Sequence, residues 1–107
     1  ENLQDLLEFK GYNVISWESA EELLQNLESH VVDLILLDHQ LPGLNGIEAL
    51  HEVKKIKPHL PVSLVTASCQ KETFEAAISG GAERIIHKPY SPAEILQAVE
   101  EMLSKSV

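Results

Sequence analysis

The segment Val31–Asp38, VVDLILLD, constrains this chain more than any other stretch. Apart from Asp33 and the closing Asp38 it is apolar, and it holds two β-branched valines and an isoleucine. Such a run reads as a strand buried on both faces. A strand of that kind sits inside a parallel sheet, and both faces of the sheet must be covered by helices.

The rest of the chain supplies the cover. Leu3, Leu6 and Leu7 have helical spacing in Leu3–Gly11, which stops at Gly11. Tyr12–Trp17 is rich in β-formers and reads as a strand. Ser19–Ser29 opens with a capping box of Ser19 and Glu22, followed by a stripe of Leu23, Leu24 and Leu27. His39–Gly46 is a loop punctuated by Pro42, Gly43 and Gly46, and Ile47–Lys57 is helical up to Pro58. Val62–Ala67 reads as a strand, Lys71–Ala82 as a helix closed by Gly80 and Gly81, and Glu83–His87 as a short strand. In the last helix, Ser91–Leu103, Ser91 is the N-cap, Pro92 takes N1 and Glu94 takes N3.

The predicted order is α-β-α-β-α-β-α-β-α, a doubly wound parallel sheet with helices on both faces. It begins with a helix that has no strand before it. The chain has 107 residues, enough for one domain with one hydrophobic core.

Charge excludes one class of function. Eight Lys and Arg stand against 17 Asp and Glu, a formal charge of -9. Direct nucleic-acid contact by this domain is therefore not expected. No apolar run reaches the roughly 18 residues that a membrane span needs. The single cysteine, Cys69, cannot form an internal disulfide, in keeping with a reducing, cytoplasmic setting.

In open α/β sheets, functional groups collect beyond the carboxyl ends of the strands. Three predicted strands deliver Asp38, Thr66 and Lys88 there. Each alone has a plain structural explanation: Asp38 as a turn cap, Thr66 as a ladder residue, Lys88 as a solvated cation. Together they form a coherent set. A carboxylate can accept a phosphoryl group as an acyl phosphate, and a hydroxyl and an ammonium group can stabilise its charged oxygens.

The run Asp33–Leu50 (DLILLDHQLPGLNGIEAL) closely resembles the phosphoacceptor segment of two-component response regulator receiver domains. Pro61–Ser68 (PVSLVTAS) is similar to their hydroxyl-bearing fourth strand, and Gly80–Tyr90 (GGAERIIHKPY) to the segment ending in a Lys-Pro pair. The likeness covers essentially the whole chain, so residues 1–107 are read as one receiver domain, incomplete at its N-terminus.

The resemblance implies a flavodoxin-like (CheY-like) three-layer α/β/α fold and a phosphorylation-dependent switch rather than a turnover enzyme. Asp38 would be the phosphoacceptor and a Mg²⁺ ligand, and Gln40 would offer its main-chain carbonyl to the metal. Thr66 would be the hydroxyl that moves toward the phosphoryl group. Lys88 would pair with Asp38, with a cis bond to Pro89. Implied partners are a histidine kinase or phosphotransfer protein, an output domain in a longer parent, and a second copy meeting the 71–103 face.

Two departures stand out. The family's first strand and its acidic pair would lie ahead of Glu1, leaving a gap in the sheet between 12–17 and 32–38. Ile85 occupies the place of an aromatic residue, so movement of Thr66 is expected to give a weaker or different readout. A degenerate receiver, serving as a phosphorylation-independent interaction or dimerisation module, is the main alternative. A small hydrolase using Asp38 would need a general acid/base and a substrate pocket that the sequence does not display. His30, His51, His59 and His87 are scattered. His39, beside Asp38, reads as a solvated loop residue, and Cys69 as inert for want of a nearby base.

Overall fold

The computed structural model describes residues 3–40 and 45–105. Glu1, Pro42 and Gly43, all used in the sequence reading, lie outside the described residues.

Three parallel strands form one sheet in the order β1 (Ile35–Asp38), β2 (Val62–Thr66), β3 (Arg84–His87). Ile35 is in register with Val62 and Asp38 with Val65, while Ser63 meets Arg84 and Thr66 meets His87. Among the described residues the helices are α1 (Leu3–Phe9), α2 (Ala20–Asn26, continued by a 3-10 turn to Ser29), α3 (Gly46–Ile56), α4 (Lys71–Ser79) and α5 (Pro92–Lys105).

The period-2 alternation of the strands divides the core in two. Ile35, Leu37, Val62 and Leu64 face one way and pack against α2, α3 and α4 through Leu23, Leu50, Val53 and Ala77. Val65 and Ile86 face the other way, onto Leu7 of α1 and Ile95, Ala98 and Val99 of α5. This is the expected three-layer α/β/α arrangement. β2 is the central strand and every one of its residues is buried. Its one internal hydroxyl, Ser63, is satisfied by donating to the Arg84 carbonyl at 3.0 Å, so burial leaves it no unpaired polar atom. An ion pair between Arg84 and Glu101 ties β3 to α5.

The caps fall where local chemistry puts them. The Ser19 hydroxyl accepts from the Glu22 N–H at 3.2 Å, and the Glu22 carboxylate accepts from the Glu18 N–H at 2.9 Å. The Ser91 hydroxyl likewise accepts from the Glu94 N–H.

One expected strand does not form. Tyr12–Trp17 enters no sheet. Its first N–H bonds back to Leu7, closing α1, and the remainder runs irregularly. β propensity makes a strand only where a neighbour takes up the ladder bonds. Here the neighbouring position is a cleft of about 550 Å³, with Val14 and Trp17 on one wall and Ile35, Leu37 and Asp38 on the other. The gap expected between 12–17 and 32–38 is this cleft. Trp17, read as the end of that strand, is half-buried and sets its ring edge-on to His30, with centroids 5.4 Å apart.

Candidate functional site

Parallel strands present their carboxyl ends together, and this sheet brings Asp38, Thr66 and His87–Lys88 to one edge. The Lys88 ammonium donates to Asp38 Oδ2 at 3.1 Å. The other carboxylate oxygen, Oδ1, accepts the Gln40 N–H at 3.0 Å. Lys88 is anchored through its own N–H, which bonds to the Thr66 carbonyl at 2.8 Å; the Lys88–Pro89 bond is cis, as the family resemblance implied.

The start of α3 presses against this edge. The Gly46 N–H donates to the His39 carbonyl at 2.7 Å. A Cβ at residue 46 would lie 2.4 Å from the Asp38 carbonyl oxygen and 2.6 Å from the His39 Cα, so only glycine fits. Asn45 and Glu48 then close α3 with a full capping box. That pair is legible as N-x-x-E, a signal that the reading of the loop passed over in favour of its glycines.

Thr66 is also at the edge, but its hydroxyl is bonded elsewhere. Oγ1 lies 2.8 Å from His39 Nδ1 and accepts the Ser68 N–H at 3.0 Å. His39, expected as a solvated loop residue, is half-buried and hydrogen-bonded. The continuing register of β1 and β2 carries it inward. Cys69 also departs from expectation: its thiol sulfur stands 3.1 Å from His87 Nε2. The base was invisible in sequence because 18 residues separate the pair, and only the Thr66–His87 register brings residue 87 under the chain leaving β2. Ile85 is half-buried against the α3–α4 side of the core.

Among the described residues, no group of three or more His, Cys, Asp or Glu side chains could hold a metal ion. Asp38 stands at this edge with one carboxylate, and the Gln40 carbonyl is the second donor that the resemblance implies; carboxylate and carbonyl oxygens are the donor types that Mg²⁺ takes alongside phosphate oxygens and water. The two do not make a cage of protein ligands.

The sequence matches the family described as "Response regulator receiver domain" over residues 1–100. The chain belongs to that family, which places it in two-component signalling. It is 36% identical over 104 residues to the alkaline phosphatase synthesis transcriptional regulatory protein PhoP of Bacillus subtilis (97% of this chain, 43% of PhoP). It is 30% identical over 102 residues to the response regulator SaeR of Staphylococcus aureus (95% of this chain, 44% of SaeR). The chain thus spans less than half the length of these two relatives. Its structure is similar to the CheY-like receiver domain protein of Methanospirillum hungatei, with a TM-score of 0.92 and 31% identity, covering 96% of this chain and 82% of that one. No helix among the described residues is long and apolar enough to cross a membrane.

Proposed function

We propose that this chain is a phosphorylation-dependent signalling switch in which Asp38 accepts a phosphoryl group from a histidine kinase or a phosphotransfer protein. The observation that carries the reading is the Lys88–Asp38 contact at 3.1 Å, at the carboxyl edge of a parallel sheet. A carboxylate oxygen of Asp38 would attack the phosphorus of a phosphohistidine. The phosphorus–nitrogen bond breaks, its electron pair returns to the imidazole, and an acyl phosphate forms on Asp38. Lys88 balances the charge that builds on the phosphoryl oxygens, and the Gln40 N–H orients the carboxylate. The Thr66 hydroxyl, on the adjacent strand, is the donor that turns toward the modified side chain. Mg²⁺, where bound by Asp38 and the Gln40 carbonyl, would supply neutralising charge.

The same reading assigns residues 1–107 to one receiver domain and sets it in the cytoplasm. An output domain elsewhere in a longer protein would receive the signal. The 71–103 face is its candidate for self-association, since Phe74 and Ile78 of α4 are exposed there. The second reading is a degenerate receiver acting as a phosphorylation-independent interaction module. It is favoured by Ile85, which stands where the family carries an aromatic residue and packs half-buried against the core.

Treatment with acetyl phosphate, with and without Mg²⁺, followed by intact mass, separates the two. The switch requires Mg²⁺-dependent gain of one phosphoryl group, lost in Asp38→Asn. A folded full-length protein that gains none leaves the interaction module as the function.

A further inference from the structure

The Thr66 hydroxyl is already engaged before any phosphoryl group arrives. Thr66 is 1% exposed, and its Oγ1 is held by His39 Nδ1 at 2.8 Å and the Ser68 N–H at 3.0 Å. The sheet dictates this pairing. Asp38 is in register with Val65, so His39 and Thr66 are the next pair up, and the His39 N–H still bonds to the Val65 carbonyl at 2.9 Å. Residues paired across a ladder project to the same face and successive residues to opposite faces. His39 and Thr66 therefore continue the face of Leu37 and Leu64. Asp38 and Lys88 continue the face of Leu36 and Ile86. The histidine backbone is bonded on both sides, since its carbonyl also accepts the Gly46 N–H at 2.7 Å.

We propose that His39 is a positioning residue that latches the Thr66 hydroxyl in the resting domain, on the face away from Asp38, and so restrains phosphorylation. The inference rests on the phosphoacceptor reading. The Ser68 N–H occupies one lone pair of Oγ1. The 2.8 Å contact ties the hydroxyl to the imidazole whichever of the two atoms donates. For Thr66 to donate to a phosphoryl oxygen on Asp38, that bond to His39 must break. The resting state is then favoured by the net weight of one hydrogen bond.

The test uses the full-length protein with acetyl phosphate and Mg²⁺, comparing initial phosphorylation rates in a double-mutant cycle. His39→Ala raises the rate roughly threefold or more, the equilibrium weight of one net hydrogen bond. His39→Asn returns it toward wild type, because the asparagine side-chain amide reaches as far from Cα as Nδ1 does. In a Thr66→Val background, His39→Ala has no further effect. That non-additivity is a readout a merely structural histidine would not move. Equal fold-changes in both backgrounds overturn the latch.

The imidazole ¹⁵N shifts of His39 report the same bond in unphosphorylated protein without altering the histidine. They change on Thr66→Val if the latch exists, and an unchanged Nδ1 shift overturns it. Wild-type protein that is folded but takes no phosphoryl group overturns the phosphoacceptor reading and the latch with it. Normal uptake without coupling overturns the latch alone.

Discussion

Lys88 Nζ and Asp38 Oδ2 stand 3.1 Å apart although 50 residues of chain separate them. Both side chains are partly exposed, at 39% and 44%. Water screens such a pair, so its contribution to stability is below about 1 kcal/mol. Lys88→Ala should therefore leave the thermal midpoint nearly unchanged while slowing phosphorylation of Asp38 about tenfold or more, the loss expected when one donor is removed from a developing anion. Lys88→Arg should not restore the rate, because a planar fork does not reproduce a compact ammonium charge. Thermal melts and intact-mass time courses check both arms.

Gly46 is the tightest backbone contact of the site. A methyl group there meets the Asp38 carbonyl at 2.4 Å, and the atoms it meets belong to main chain rather than to a flexible side chain. Gly46→Ala should cost about 1–3 kcal/mol through forced separation of α3 from the end of β1. A urea midpoint equal to that of wild type would contradict the packing described.

The middle of β2 carries the core. Leu64 is fully buried and its neighbours belong to the cluster shared by α2, α3 and α4. Leu64→Ala should cost about 2–5 kcal/mol. Phe74→Ala, at a side chain 36% exposed on α4, should stay within about 0.5–1 kcal/mol of wild type. Denaturant unfolding of the two variants side by side reads the contrast.

The open edge of β1 should appear in hydrogen exchange. Ile35 donates at 3.0 Å to the carbonyl of Pro61, just ahead of β2, and His39 at 2.9 Å to the carbonyl of Val65 within it. The alternating Leu36 and Asp38 N–H groups accordingly face the cleft. In the 107-residue chain these two amides should exchange much faster than those of Ile35, Leu64 and Val65. Comparable protection would mean that something pairs with this edge.

Much of the fold was legible in the sequence because its signals are local. The apolar run ending at Asp38 identified the sheet. Leucine spacing marked α1 and α2, and Ser19/Glu22 and Ser91/Glu94 marked where helices begin, since a cap needs only groups three residues apart. Placing Asp38, Thr66 and Lys88 at one edge followed from the rule for parallel strands, and the register bears out that juxtaposition.

Tyr12–Trp17 shows where local signals end. Its β-rich composition is a property of the segment, but a strand is a property of two neighbours, and only the tertiary arrangement shows a cleft where the neighbour would stand. The site divides in the same way. The sequence by itself determined which carboxylate, hydroxyl and ammonium reach the edge, because strand length and order set that. Only the tertiary structure decided that the Thr66 hydroxyl is bonded to His39, and that Cys69 has His87 beside it. Both partnerships depend on the lateral register between strands, and contacts across a sheet leave no periodicity along the chain.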